Sequence, residues 1–238
     1  MKLLKEEIEK YSKELENKSP EDVLKWSFDT FKDKVALASS FGAEDVVLTD
    51  MMVKINPSAR IFTLDTGRLP QETYEVFEKT REKYKVNIEV YCPDTASLEK
   101  MTEEYGPDLF YKSIENRKLC CTKRKIEPLN RSLSKLDAWI CGLRREQSVT
   151  RTKVEKVELD VSHNNMAKIN PLADWTEKQV WDYIKANDVP YNALHNKNYP
   201  SIGCAPCTRA VKPGEDVRAG RWWWESPEQK ECGLHGKK

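Results

Sequence analysis

The sequence predicts an α/β domain built on a parallel sheet, and three observations carry that reading. Short apolar runs suited to strands alternate with stretches of helical periodicity between residues 35 and 141, the pattern of successive βαβ units. Two strand ends lead into turns of small and polar residues, Ser39-Ser40-Phe41-Gly42 and Asp65-Thr66-Gly67-Arg68, and open α/β sheets bind ligands at such carboxyl ends. A length of 238 residues suits one sizeable core.

Leu4, Ile8, Tyr11 and Leu15 recur at helical spacing, so the chain opens with an amphipathic helix that covers the main body. Ser19, Pro20 and Asp22 then supply a cap, a first-turn proline and a carboxylate near the positive end of the dipole. The helix they start carries Val23, Leu24, Trp26, Phe28 and Phe31. A strand at Val35-Ala36-Leu37-Ala38 precedes a helix around Val46 to Val53 and a strand at Ile61-Phe62-Thr63-Leu64. A helix from about Gln71 to Tyr84, a strand at Asn87 to Tyr91 and another at Ala138 to Cys141 continue the alternation. Thr176 and Gln179 form a capping box ahead of Val180, Trp181, Tyr183 and Ile184, which marks one more helix. Past Asn192 periodicity fades into Gly, Pro, Arg and Trp, the composition of loops. The expected layout is a single domain with a helical extension over residues 1–33, an α/β core over 34–192 and a loop-rich segment and tail over 193–238.

With 40 basic and 39 acidic side chains the formal charge is +1, so no global field favours nucleic acid or an anionic membrane. An anionic ligand needs a local cluster. No stretch is apolar enough for a secretory core or a bilayer span, and the expected location is the cytoplasm. Seven cysteines in a reducing compartment point to metal binding or thiol chemistry rather than a disulfide framework.

Four of them form two tight pairs, Cys120-Cys121 and Cys204-Ala205-Pro206-Cys207. Four thiolates suit a 4Fe–4S cube or a structural zinc, and adjacent cysteines are unusual for tetrahedral zinc. Cys92 and Cys141 lie in or beside strands and read as packed core thiols. Lys118, Lys123, Arg124 and Lys125 crowd the first pair; an ammonium there offsets the charge of a thiolate site or links it to an anionic substrate, and Lys125 is the candidate.

In the first turn, Ser39, Ser40 and Gly42 offer N–H groups and hydroxyls to a phosphate or sulfate oxygen. Leu64, Asp65, Thr66, Gly67 and Arg68 form the second wall. Arg144, after a strand, and Arg218 and Arg221, before Trp222-Trp223-Trp224, are arginine forks matched to a doubly anionic nucleotide. The tryptophans read as a clamp pinning the tail to the body. Cys232, almost at the chain end, is followed by Gly233 and has His235 in reach. A thiol so placed suits a nucleophile that visits two partners; a fortuitous exposed thiol and a redox sensor are the competing readings.

Together these residues resemble the sulfonucleotide reductases, in particular their iron-sulfur, assimilatory type. The resemblance runs from about Val35 to His235, and its specific parts are Cys120-Cys121 with Lys125, Cys204-Ala205-Pro206-Cys207, Gly220-Arg221-Trp222-Trp223-Trp224-Glu225 and Glu231-Cys232-Gly233-Leu234-His235. It implies a parallel-sheet, adenine nucleotide alpha-hydrolase-like (PP-loop) fold. It also implies a 4Fe–4S cluster ligated by Cys120, Cys121, Cys204 and Cys207, a cluster not thought to pass electrons. Lys125 would sit between cluster and substrate, while Ser39, Ser40 and Gly42 match a modified pyrophosphatase loop without the Gly-Gly core of ATP-cleaving relatives. Asp65 to Arg68 match the second loop, and Arg144, Arg218 and Arg221 match basic residues facing the nucleotide.

The implied activity is thioredoxin-dependent reduction of adenylyl sulfate to sulfite and AMP in sulfate assimilation and cysteine biosynthesis, through an S-sulfocysteine on Cys232. His235 is a candidate for assisting its deprotonation. The sequence leaves the oligomeric state open. The alternatives are a reductase of the 3′-phosphorylated nucleotide or of both nucleotides, an adenylating or thiolating enzyme on the same fold, and a non-enzymatic iron-sulfur sensor.

Overall fold

The structure, a computed structural model, describes residues 2–148, 151–226 and 233. In chain order it runs α1 (Lys5–Leu15), α2 (Pro20–Phe31), β1 (Val35–Ala38), α3 (Ala43–Ile55), β2 (Arg60–Leu64), α4 (Gln71–Tyr84), β3 (Ile88–Tyr91), α5 (Thr95–Tyr105), α6 (Ile114–Cys121), α7 (Glu127–Leu133), β4 (Ala138–Ile140), β5 (Val157–Asp160), β6 (Met166–Ile169) and α8 (Glu177–Ala186). The expected strands and helices through β3, and β4 and α8, stand where the periodicity put them. The caps hold too: Ser19 Oγ accepts from Asp22 N at 3.1 Å, and Thr176 Oγ1 from Gln179 N at 3.2 Å. The apolar stripe of α1 differs by one residue. Leu3, Ile8 and Leu15 are buried, whereas Leu4 stands 65% exposed, because Leu4 is the residue before the helix and points away from its face.

The sheet has six strands in the order β3-β2-β1-β4-β6-β5. β1, β2, β3, β4 and β6 are parallel, while β5 pairs antiparallel with β6 at the edge. Side chains alternate between faces. Leu37, Ile61, Ile140 and Ile169 join a core with residues of α1, α2, α3, α4 and α8. Ala36, Phe62, Trp139 and Cys141 face the other way, against Leu129 and Leu133 of α7. Helix α3 is buried from Asp45 through Met52, as expected of a helix with partners on more than one side. A separate apolar cluster gathers Met101, Leu109, Phe110, Trp222 and the two cysteine pairs. Among the described residues no helix is long and apolar enough to cross a membrane.

From β1 the chain moves to β2 on one side and later to β4 on the other. The carboxyl ends of β1 and β4 therefore diverge, and that switch point is where such sheets open a crevice.

Candidate active site

A cavity of about 680 Å³ occupies this crevice. Its floor is the turn after β1. Ser39 N bonds Phe62 O at 2.8 Å, and Ser39 Oγ accepts from Phe41 N at 3.2 Å. Phe41 takes a left-handed φ of 58°, which turns the chain so that Gly42 opens α3. Both N and Oγ of Ser40 donate to Asp45 Oδ2 at 2.7 Å. The turn is thus braced by a buried carboxylate that the sequence did not single out. Burial pushes Asp45 from an ordinary 3.8 up to about 6, against the hydrogen bonds from Ser40. Gly142, after β4, has to be glycine here: a Cβ would lie 2.4 Å from Asp45 Oδ1 and 2.8 Å from Glu44 Cβ.

Arg144 reaches the cavity wall but is engaged within the protein. Its Nε donates to Glu44 at 2.8 Å, and Nη1 donates to Glu146 at 3.3 Å and to Trp175 O at 3.2 Å. Arg218, Arg221 and Lys125 also line the cavity, as does Arg151, a basic residue sequence reasoning passed over because no motif flanks it. Arg151 Nη1 donates to Gln147 Oε1 at 2.6 Å, beside Arg144. Arg221 Nη1 lies 3.4 Å from Ser201 Oγ and from Ile202 O, and Gly203 leaves the room for its guanidinium, since a Cβ there would meet Nη2 at 2.2 Å.

The second turn divides between two places. Leu64 and Thr66 line the cavity, whereas Asp65, Gly67 and Arg68 do not. Asp65 Oδ1 accepts from Gly67 N and from Tyr74 Oη, both at 2.8 Å. Arg68 donates to Pro107 O at 2.6 Å, and its guanidinium stacks 5.2 Å from the Phe110 ring. Gly67 of the turn and Tyr74 of α4 hold one oxygen of the carboxylate, and the aromatic cluster holds the arginine.

Beside the large cavity lies a small one bordered by Cys120, Cys121, Cys204 and Cys207 together with Arg68, Arg117, Arg124 and Lys125. All four thiols are buried and free of disulfides. Cys120 and Cys121 end α6 and run into a π-helical turn, Thr122–Ile126, that carries Arg124 and Lys125 to the cysteine side. Lys118 is exposed, and Lys123 pairs with Glu127 at 2.6 Å. The second pair is pinned by Ala205 N to Arg68 O at 2.8 Å and by Trp222 N to Cys207 O at 3.2 Å. Burial works to raise the Cys204 thiol, but Lys125, the Thr66 hydroxyl 3.3 Å away and two arginines outweigh it and hold the thiol below its ordinary value. Cys207, with Cys204 beside it, is pushed by burial up to about 12.

Lys125, Arg221 and Trp222 border both cavities. Trp222 is buried and Trp224 packs behind it, so this part of the run does clamp the segment, while Trp223 stays 39% exposed. Cys141 is buried as expected, but Cys92 is exposed, because β3 ends at Tyr91 and the chain leaves the sheet. Cys232 and His235 lie outside the described residues. Gly233, between them, has a φ of 85° and sits against Ile126, next in sequence to Lys125.

Residues 34–210 match the model of the phosphoadenosine phosphosulfate reductase domain. The chain is similar to the adenosine 5′-phosphosulfate reductase of Allochromatium vinosum, 55% identical over 203 residues covering 85% of this chain and 79% of that one. It is similar to the protein of the same name from Halalkalibacterium halodurans, 44% identical over 229 residues covering 96% of each. Among solved structures it is similar to the phosphoadenylyl-sulfate reductase of Candida auris in its phosphate complex, with a TM-score of 0.76, 29% identity, and coverage of 89% of this chain and 99% of that one.

Proposed function

The chain belongs to the phosphoadenosine phosphosulfate reductase domain family and is an oxidoreductase acting on sulfur; from that premise we propose that it reduces adenylyl sulfate to sulfite and AMP with Cys232 as nucleophile. The observation that carries the reading is the wall shared by a nucleotide-sized cavity and a four-cysteine site, formed by Lys125, Arg221 and Trp222. Relatives at 44–55% identity named for adenosine 5′-phosphosulfate support the substrate without a 3′-phosphate.

The residues bordering the small cavity fit a 4Fe–4S cluster. All four donors are thiols in a basic surround. Arg124 Nε and Trp222 Nε1 are buried N–H donors with no hydrogen-bond partner among the described residues, and such donors suit sulfide or thiolate acceptors. Two of the four thiols are adjacent in sequence, Cys120 and Cys121, a spacing that suits a cluster with a separate iron per thiolate better than one tetrahedral zinc. Bound there, the cluster would bring net negative charge and iron-held sulfide up to the Lys125 wall.

In the proposed reaction Ser39, Ser40 and Gly42 shape the anion-binding turn, Leu64 and Thr66 border the nucleotide, and Arg218, Arg221 and Lys125 offset the phosphosulfate charge that repels a thiolate. Arg144 holds Glu44 and Glu146 in place, and Asp65, Gly67 and Arg68 hold the second turn against the cysteine lobe. The Cys232 thiolate, with His235 three residues on in sequence as candidate base, attacks the sulfur; the S–O bond to the phosphate breaks and AMP leaves with its electron pair. One thiolate of a thioredoxin-like dithiol then attacks Cys232 Sγ, sulfite departs with the S–S bonding pair, and the second thiol resolves the mixed disulfide. The sulfur gains two electrons and the dithiol becomes a disulfide.

The test is anaerobic incubation with adenylyl sulfate and, separately, its 3′-phosphorylated form, with thioredoxin, measuring sulfite. Without reductant, a sulfonate adduct should form on the C-terminal peptide, and Cys232→Ser should form none. Sulfite release by that variant, or an adduct on Cys92 or Cys141, contradicts the mechanism.

A further inference from the structure

Two aromatic side chains stand bare on the outer skin of the cysteine lobe. Tyr111 is 46% exposed and Trp223 39% exposed, while their sequence neighbours Phe110 and Trp222 are buried. The pair is held rigid. Tyr111 Oη donates to Pro206 O at 2.8 Å, its ring meets Trp223 at 6.4 Å and Trp224 at 4.5 Å, and Trp223 meets Trp224 at 4.7 Å. Rigid amphipathic rings that need little ordering on contact are what an interface anchor requires.

We propose that the Tyr111–Trp223 ledge docks the dithiol redox protein that discharges the tail cysteine, an inference that rests on the reductase reading above. Cys232 follows Trp223 by nine residues, so a partner thiol in contact with Cys232 is tethered within roughly 30 Å of the ledge. A redox protein of about 100 residues has a radius of gyration of about 13 Å, so its body reaches the ledge while its thiol meets the tail. Redox encounters use interfaces at the small end of the range, which two fixed aromatic rings can anchor. The tail itself is a poor occupant: from Pro227 to Lys238 its apolar content is Leu234 and Cys232, among charged and polar residues.

The experiment loads the holoenzyme with adenylyl sulfate in the absence of reductant, then follows sulfite release with thioredoxin or with a small dithiol. Trp223→Ser and, independently, Tyr111→Ser should raise the half-saturating thioredoxin concentration on the order of tenfold. Adduct formation, visible absorption and discharge by the small dithiol should stay at wild-type levels. Unchanged thioredoxin saturation in both variants overturns the proposal, as does an equal loss with the small dithiol. A wild-type dimer in sedimentation that Trp223→Ser abolishes would make the ledge a self-interface and overturn it as well. Wild-type protein that forms no adduct overturns the reductase reading and the ledge with it; normal adduct with unchanged thioredoxin saturation overturns the ledge alone.

Discussion

Arg117 and Glu225 form a bidentate ion pair, Nε to Oε1 at 2.9 Å and Nη2 to Oε2 at 2.7 Å, with side chains 1% and 3% exposed. Arg117 is on the same face of α6 as Cys120 and Cys121, and Glu225 closes the segment bearing Arg218, Arg221 and Trp222. The Trp222 ring is sandwiched, with Arg117 4.9 Å and Arg221 4.6 Å from its centroid. The pair thus ties the first cysteines to the start of the tail.

Removing one member leaves a buried charge alone. Glu225→Leu should cost about 3–5 kcal/mol, whereas Arg117→Leu with Glu225→Leu should recover much of that loss, because two well-packed apolar groups replace a desolvated pair. Anaerobic thermal melts of the single and double variants decide it; a double variant no more stable than the single one would show that the pair's geometry, not its charge balance, matters.

Cys120→Ser and Cys204→Ser should each remove the broad visible absorption expected of anaerobically purified protein, while Cys232→Ser keeps it. Colourless wild-type protein with one zinc per chain would contradict the cluster assignment.

Arg218→Ala and Arg221→Ala should each weaken AMP binding on the order of tenfold, as befits the loss of one charge-assisted contact. Gly203→Ala should resemble Arg221→Ala, because its methyl group displaces the guanidinium. Calorimetric titration with AMP measures all three. Wild-type affinity in both arginine variants would give these arginines a role in the fold rather than in binding the nucleotide.

The buried Asp45 carboxyl titrates at about 6 in the fold against an ordinary 3.8, so the folded state prefers its neutral form. Its contribution to stability is fully present below about pH 4 and declines as pH rises toward 6, a difference of about 3 kcal/mol. Asp45→Asn escapes this loss. The melting temperature of the variant relative to wild type should therefore climb between about pH 4 and pH 7; a flat difference across that range means the carboxyl is not perturbed.

Much of the frame was legible because it rests on local rules. Ser19 with Pro20 and Thr176 with Gln179 announce helix starts through backbone groups one turn away, and Val35 to Ala38 reads as a strand from its run of apolar side chains. The helices α5, α6 and α7 and the strands β5 and β6 escaped notice: the apolar residues of α5 and α6 face a small cysteine lobe, α7 is only seven residues long, β5 is a half-covered edge strand, and β6, though buried, is a four-residue run broken by Lys168.

The sequence by itself determined which residue types are available for chemistry: paired thiols, two strand-end turns, basic residues around the cysteines and a thiol near the chain end, because residue type fixes what a group can bind or attack. Only the tertiary structure decided which of them meet. Arg144 reaches the wall of the large cavity while bonded to Glu44 and Glu146, and Arg68 stacks on Phe110 and borders the small cysteine cavity instead. Lys125, one of several lysines near Cys121, is singled out because the π-helical turn carries it to the wall between the two cavities. Such partnerships join residues as far apart in sequence as Arg144 and Glu44 or Arg117 and Glu225, and packing, not spacing along the chain, brings them within hydrogen-bond reach.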